Sequence, residues 1–182
     1  MFKRIVSFDI GIRNLAYCVL EDTSNDDSDS INPEGIFTII DWDVISLCEK
    51  DEKVKQVSLQ TLCTRMGEKL DDIDSFYDVD VVVLENQPVY MNPKMKSVQM
   101  MLFSYFVLKG VPKVQMFSPR QKLSVYTGPE VQCTLKSKYS RTKFLGIAYC
   151  RYFIQNVPII EFFNNHKKKD DLADSFLQGV LF

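Results

Sequence analysis

The sequence predicts an α/β fold built on a mixed sheet, and three observations carry that reading. Residues 3–9, 14–20 and 36–45 are rich in β-branched and aromatic side chains and are separated by turn-forming or polar stretches, so they read as an antiparallel meander. The period then changes. Val54, Val57, Leu59, Leu62, Met66, Leu70 and Ile73 recur at helical spacing over residues 51–74, with Lys, Gln, Glu and Asp between them. Residues 77–85 end in Val79-Asp80-Val81-Val82-Val83-Leu84-Glu85, an apolar run that suits a strand buried on both faces and paired in parallel.

The first strand, Ile5-Val6-Ser7-Phe8-Asp9-Ile10-Gly11, leads apolar residues into a lone carboxylate. A desolvated carboxylate costs several kcal/mol unless a partner such as a cation meets it. Gly11 allows a sharp turn or a close backbone approach. Glu21 to Gly35 is acidic and turn-rich and reads as a solvated loop. Asn86-Gln87-Pro88 stops the fourth strand. Residues 94–108 form a helix that is apolar on nearly every side from Met100, ended by Gly110 and Pro112. Val114 to Phe117 is a short strand, Ser118 to Lys122 a turn, and 123–138 an irregular, increasingly basic segment. Helical patterning resumes over 140–154, with Ser140 as a candidate cap. Ile159 to Phe163 is an apolar patch, Asn164 to His166 a loop, and 169–179 a last helix with acids in its first turn.

At 182 residues, with 46% hydrophobic and 25% charged residues, the chain reads as one domain over residues 1–182 with a core of its own. No apolar run reaches the ~20 residues of a membrane span, so no membrane partner is expected. The N-terminus leads directly into a strand, which argues against a signal peptide and for a cytoplasmic protein. Five cysteines with no C-x-x-C pair fit reduced thiols and give no zinc-ligand spacing. The net charge of −2 is close to neutral, but acids crowd 21–29 and 68–80 while bases crowd 136–151 and 167–169. A chain of this kind can still present a basic face to phosphates.

The chemistry-bearing residues are carboxylates. Asp9 and Glu85 each end a strand, and Asp171 and Asp174, three apart, share one face of the last helix. Asp170, four before Asp174, could share that face too. Two strand ends and a helix N-terminus can converge at one sheet edge. Such acids repel unless a cation sits among them, and an oxygen-only set suits Mg²⁺ or Mn²⁺. Two such ions can orient a water for in-line attack on a phosphodiester and stabilise the leaving oxygen.

Four stretches in order, SFDIGIRNLAY, VVVLENQP, SPRQK and KKDDLADSFLQG, resemble the RNase H-like Holliday-junction resolvases, nearest the poxvirus branch, with bacterial RuvC and fungal mitochondrial resolvases as relatives. The likeness spans residues 4–179. It implies an RNase H-like fold with a five-stranded mixed sheet, three antiparallel strands first and then two parallel, flanked by helices. It implies metal-dependent, paired symmetric cleavage of four-way DNA junctions by a viral homodimer, and a place in the host-cell cytoplasm. Carried over residue by residue, the four metal-binding acids fall on Asp9, Glu85, Asp171 and Asp174. The family's Asp-x-x-Asp spacing selects Asp171 over Asp170. The basic residue after the fifth strand falls on Lys122, which would contact the scissile phosphate or steady the attacking water. A second lysine fits Lys143 best, with Lys138 and Arg141 nearby. His166, the lone histidine, matches no family motif and is read as a loop residue.

Lys136, Lys138, Arg141, Lys143, Arg151 and Lys167 to Lys169 are the candidates for phosphate contact, and Tyr126 and Tyr139 interleave them as candidates for stacking on unpaired bases. The helix over 98–108 is the candidate dimer interface, since Met100, Met101, Phe103, Tyr105 and Phe106 are expected to exceed what one core can cover. Rival readings are another RNase H-like nuclease acting on RNA or flaps, a catalytically silent junction binder, and an actin-like phosphotransferase. The last needs a second lobe and glycine-rich phosphate loops, which seven glycines and no internal repeat do not supply.

Overall fold

The computed structural model describes residues 4–22, 37–90, 92–118 and 121–182. Most of the acidic loop (23–35), Ile36 of the third strand, and Pro119 and Arg120 of the SPRQK stretch lie outside the described residues. The meander forms as read: β1 (Arg4–Asp9), β2 (Leu15–Asp22) and β3 (Phe37–Ile45) pair antiparallel in sequence. β4 (Val81–Glu85) then pairs parallel with β1, and β5 (Lys113–Phe117) parallel with β4, giving the order β3-β2-β1-β4-β5. The expected mixed sheet of three antiparallel strands and two parallel ones is therefore present. β1, β2 and β4 are central, which is why their inner residues are buried on both faces.

One face carries α1 (Leu59–Asp71) and α2 (Pro93–Leu108), packed on Val6, Phe8, Leu15, Tyr17, Val19, Val82 and Leu84. The other carries α3 (Lys138–Ile154), α4 (Ile160–Asn165) and α5 (Lys169–Leu181), packed on Cys18, Leu20 and Trp42. α5 is the buried one. The Trp42 indole donates to the Leu172 carbonyl (3.1 Å) and lies 3.3 Å from Ser175 Oγ. Gln178 Nε2 donates to Ser7 Oγ (3.0 Å), Phe8 O (3.2 Å) and Val83 O (3.3 Å), tying the helix to both parallel strands. Gly179 makes that approach possible. A Cβ there would stand 2.8 Å from Leu20 Cδ1 and 3.1 Å from Ser7 Cβ. Among the described residues, no helix is long and apolar enough to cross a membrane.

Four local expectations are corrected. The long helix over 51–74 is only α1. Ser58 caps its start, accepting from the Thr61 amide (3.0 Å), and the Lys94 ammonium ties up the carbonyls of Val54, Lys55 and Val57 that a longer helix would have used. α3 begins at Lys138, with Ser137 rather than Ser140 at the cap position. Residues 160–165, read as patch and loop, form α4, because Phe163 is fully buried and stacks on Trp42 at 5.2 Å. β2 runs on to Asp22, past the Glu21 where the loop was expected to begin. Cys18, Cys48 and Cys150 are buried free thiols, whereas Cys63 is exposed.

Gly179→Val forces branched carbons into Leu20 and Ser7. It is expected to lower stability by roughly 1–3 kcal/mol, read from urea denaturation; an unchanged midpoint would mean that α5 is not held as closely as described.

Candidate active site

β1 and β4 run side by side in a register that pairs Ser7 with Val83 and Phe8 with Leu84. The next residues, Asp9 and Glu85, are the last of their strands and therefore stand side by side at the C-terminal edge of the sheet. Alternation puts them on the same face as Ser7 and Val83, the face that α5 covers. Gln178 sits over Ser7 and Val83. Four residues back, Asp174 comes over the two strand ends: a rise of ~6 Å on the helix against ~6.6 Å for two residues of strand.

Lys122, in a short 3-10 turn over Lys122–Val125, extends its ammonium into this group. Its Nζ is 2.6 Å from Asp174 Oδ2 and 3.4 Å from Glu85 Oε1, and the residue is only 6% exposed. Gln87 Nε2 holds the other Glu85 oxygen at 2.8 Å. Gly146 of α3 faces Asp174, where a Cβ would stand 3.6 Å from Oδ1. The turn after Asp9 is tight: a Cβ at Gly11 would meet the Asn14 carbonyl oxygen at 2.1 Å.

The charges perturb one another. Burial first, then the charge of Glu85 and a hydrogen bond shared with it, push the Asp9 carboxyl well above the usual carboxylate range, against the opposing pull of Lys122. Burial also raises Asp174, with Lys122 opposing. Burial would lower the Lys122 ammonium, but the charges of Asp174, Asp9 and Glu85 outweigh it and raise its affinity for the proton.

Asp170 and Asp171 stand apart from this centre. Asp170 pairs with Lys143, whose hydrogen bond and charge outweigh burial and hold the carboxyl low. Asp171 is raised by burial and by the charge of Asp170. Asp170 thus has a direct ion pair with Lys143, whereas Lys168 and Lys143 act on Asp171 through charge and do not outweigh its burial. Of the four acids expected to converge, Asp9, Glu85 and Asp174 gather at Lys122, and Asp171 lies one turn before Asp174 on α5, outside that group. Among the described residues, no three acidic, His or Cys side chains already stand at coordination spacing. They close on the ammonium instead. The donor chemistry nevertheless fits a hard divalent cation, being all oxygen and more negative than one lysine balances.

The basic residues fall on one side of the fold. Lys136 precedes α3, and Lys138, Arg141, Lys143 and Arg151 lie on it, while Lys167 and Lys168 precede α5. Arg141 donates to the Leu135 carbonyl and Arg151 to Asn164 Oδ1. The Lys168 ammonium lies 3.1 Å from the Asn14 side-chain amide, beside the β1–β2 turn. His166 Nδ1 accepts from the Lys168 amide, a structural bond at the start of α5, and so matches its reading as a loop residue in the turn before the helix. One face of the Tyr126 ring is taken by Tyr149, which lies flat on it at 3.8 Å, and its hydroxyl donates to Pro129 O. Tyr139 is exposed, with Lys143 4.9 Å above its ring. Tyr90, 98% exposed on the loop after Glu85, escaped the sequence reading, as did Gln178 and Gly146. Gln178 had a signal, a polar residue four after Asp174 in the apolar second half of the helix. Gly146 had none.

The family described as Poxvirus A22 protein matches residues 3–182. The chain belongs to the poxvirus A22 protein family. A curated relative, uncharacterized protein L451 of Acanthamoeba polyphaga mimivirus, is 32% identical over 148 residues, covering 71% of this chain and 36% of the relative. The A22-family chain thus spans about a third of that relative's length. Among solved structures, it is similar to the yeast mitochondrial Holliday junction resolvase Ydc2 (20% identity, 98% of this chain and 78% of that one, TM-score 0.65). It is also similar to the fowlpox virus resolvase in complex with its substrate Holliday junction DNA (22%, 100% and 95%, 0.57). The fold is the RNase H-like fold of those resolvases.

Folding raises the Asp9 pKa, so the carboxyl adds stability while protonated and loses it as pH climbs through the folded value. Asp9→Asn is therefore expected to raise the melting temperature of the metal-free protein at about pH 7.5. The gain should fade as pH falls below the ordinary carboxylate range. Equal melting temperatures in EDTA at neutral pH would mean that Asp9 is not desolvated.

Proposed function

We propose that the chain is a metal-dependent endonuclease that resolves four-way DNA junctions by paired, symmetric phosphodiester cleavage. The observation that carries this reading is the convergence of Asp9, Glu85 and Asp174 at the ends of the two parallel strands and the start of α5. A binding protein has no use for excess buried negative charge at one sheet edge.

Asp9, Glu85, Asp174 and Asp171 would hold Mg²⁺ or Mn²⁺. When bound, such ions neutralise charge at the attacking and leaving oxygens. The chain's own residues do the rest. Gln87 fixes one Glu85 oxygen, leaving the other toward the centre. Gln178 and Trp42 lock α5, and with it Asp174, against the strands. Lys122 brings a cation to where a scissile phosphate would lie. Lys143 with Tyr139, and Lys136, Lys138, Arg141, Arg151, Lys167 and Lys168, offer phosphate contacts along α3 and before α5. Exposed Tyr90 offers a stacking surface next to Glu85. Contacts of this kind read branch shape and backbone more than sequence.

A two-fold junction is matched by a two-fold dimer. We assign its interface to α2 and the groove of about 620 Å³ between α1 and α2, lined by Leu59, Cys63, Met100, Met101, Tyr105 and Leu108. The core covers more of α2 than its composition suggested, with Phe106 buried and Met101, Phe103 and Tyr105 packed against the same cluster. What stays open is Met100, Val107 and the 87% exposed Leu108. A host-cell cytoplasmic setting is part of the same reading, by way of the poxvirus family.

Purified protein given a labelled four-way junction and Mg²⁺ should yield symmetric nicks and ligatable duplexes. EDTA, Asp9→Asn or Asp174→Asn should reduce the rate by at least about 100-fold. Binding without cleavage in any divalent metal would reassign the chain to a junction-binding factor, and cleavage of RNA–DNA hybrid instead would reassign its substrate. Lys136→Ala and Arg141→Ala should each weaken junction binding similarly across sequences and lower the slope of log K against log salt by about 1. Leu108→Glu should convert dimer to monomer in sedimentation, and an unchanged mass would move the interface elsewhere.

A further inference from the structure

We propose that Lys122 is the resident counter-cation of the metal-free site, and that a divalent ion binds by displacing its ammonium. The inference rests on the metal-nuclease reading and adds a second role for this residue. A lysine that only contacts DNA would extend toward solvent, where the phosphate arrives. Lys122 instead points inward, 6% exposed, with its Nζ 2.6 Å from Asp174 and 3.4 Å from Glu85 and within the field of Asp9. It stands where the negative charge of three carboxylates is concentrated.

Size makes the two cations exclusive. The ammonium holds its oxygens at hydrogen-bond distance, whereas Mg²⁺ draws oxygens in to about 2.1 Å. Carboxylates closed around Lys122 do not stand at coordination spacing, and among the described residues no such trio does. Binding of an ion therefore requires Asp174 and Glu85 to release the lysine. Two consequences follow. Metal affinity is lower than the carboxylates alone would give, because the ion competes with an internal cation. The released ammonium also becomes free beside the ions, so a phosphate-binding charge is delivered only when the site is loaded. Lys143 provides an internal comparison, since it is also close to α5 but paired with Asp170 outside the Asp9–Glu85–Asp174 group.

The test titrates Mn²⁺ by calorimetry into the wild-type protein, Lys122→Met and Lys143→Met, and records the lysine ammonium spectrum of ¹⁵N-labelled wild-type protein in EDTA and in Mg²⁺. Lys122→Met is expected to bind Mn²⁺ at least about tenfold more tightly and to melt at a lower temperature in EDTA. Lys143→Met should change the affinity much less. In EDTA the buried Lys122 ammonium should give a slowly exchanging signal that shifts or disappears with Mg²⁺. Unchanged or weaker Mn²⁺ binding by Lys122→Met, or an equal gain in Lys143→Met, would overturn the proposal. If Lys122→Met does not fold, the wild-type spectrum decides, and a Lys122 signal unmoved at saturating Mg²⁺ overturns it. Junction cleavage by the wild type is scored separately. Tighter metal binding without cleavage defeats the nuclease reading and leaves the exchange standing; cleavage with unchanged affinity defeats the exchange alone.

Discussion

Like charges at the ends of adjacent parallel strands do not stay together unaided. Asp9 and Glu85 end β1 and β4 side by side because the strands are in register, and Asp174 is brought over them by α5. Each is partly removed from water, and each raises the cost of ionising its neighbours. The arrangement persists because one ammonium is inserted among them and because α5 is anchored independently of them. Gln178 bonds to both strands, the Trp42 indole bonds to the helix backbone, and Gly179 removes the side chain that would hold the helix off the sheet. The packing that holds the acids together is thus apolar and hydrogen-bonded, and it resists the electrostatics rather than arising from it.

The three acids of α5 show how local partners divide similar residues. Asp170 and Asp171 are consecutive, yet Lys143 neutralises the first and leaves the second desolvated beside a like charge. Asp174 has a lysine at 2.6 Å and is still raised, because burial outweighs that lysine and the charges of Glu85 and Asp170 add to it. One cation against one carboxylate makes a settled ion pair. One cation against three leaves unbalanced negative charge, and that imbalance is the chemical argument for a divalent ion at this edge and not at Asp170.

The fold was legible where the sequence signal is short-range and strongly patterned. β-rich stretches, the apolar run before Glu85 and the carboxylates at strand ends all sit within a few residues of the feature they specify. The errors have tertiary causes. The helix expected over 51–74 was cut short by Lys94, forty residues or so downstream, which captures the carbonyls of Val54, Lys55 and Val57. α4 is imposed by the stacking of Phe163 on Trp42, a partner in β3. Tyr126 was read as a free aromatic and has one ring face covered by Tyr149. At the site, Lys122 came from the family resemblance, as the basic residue after the fifth strand. Burial among them is set by the 3-10 turn after β5, and no pattern in the chain encodes that.

The sheet separates two sets of demands. On the α1–α2 face the central strands meet an almost wholly apolar cluster, and what that cluster leaves open, Met100, Val107 and Leu108, is apolar too. On the α3–α5 face lie the carboxylates, Lys122, and the lysines and arginines of α3 and of the segment before α5. A buried central sheet insulates one from the other, because its inner strands are packed on both faces. On the proposed reading, subunit pairing through the first face and phosphate handling on the second act on separate residues. A change at Leu108 then alters assembly without touching the charge balance around Asp174, and a change at Lys122 alters that balance without touching the groove. β1 and β4 carry both demands, with Phe8 and Leu84 in one core and Asp9 and Glu85 in the other layer. Substitutions in those two strands are the ones that cannot be confined to either function.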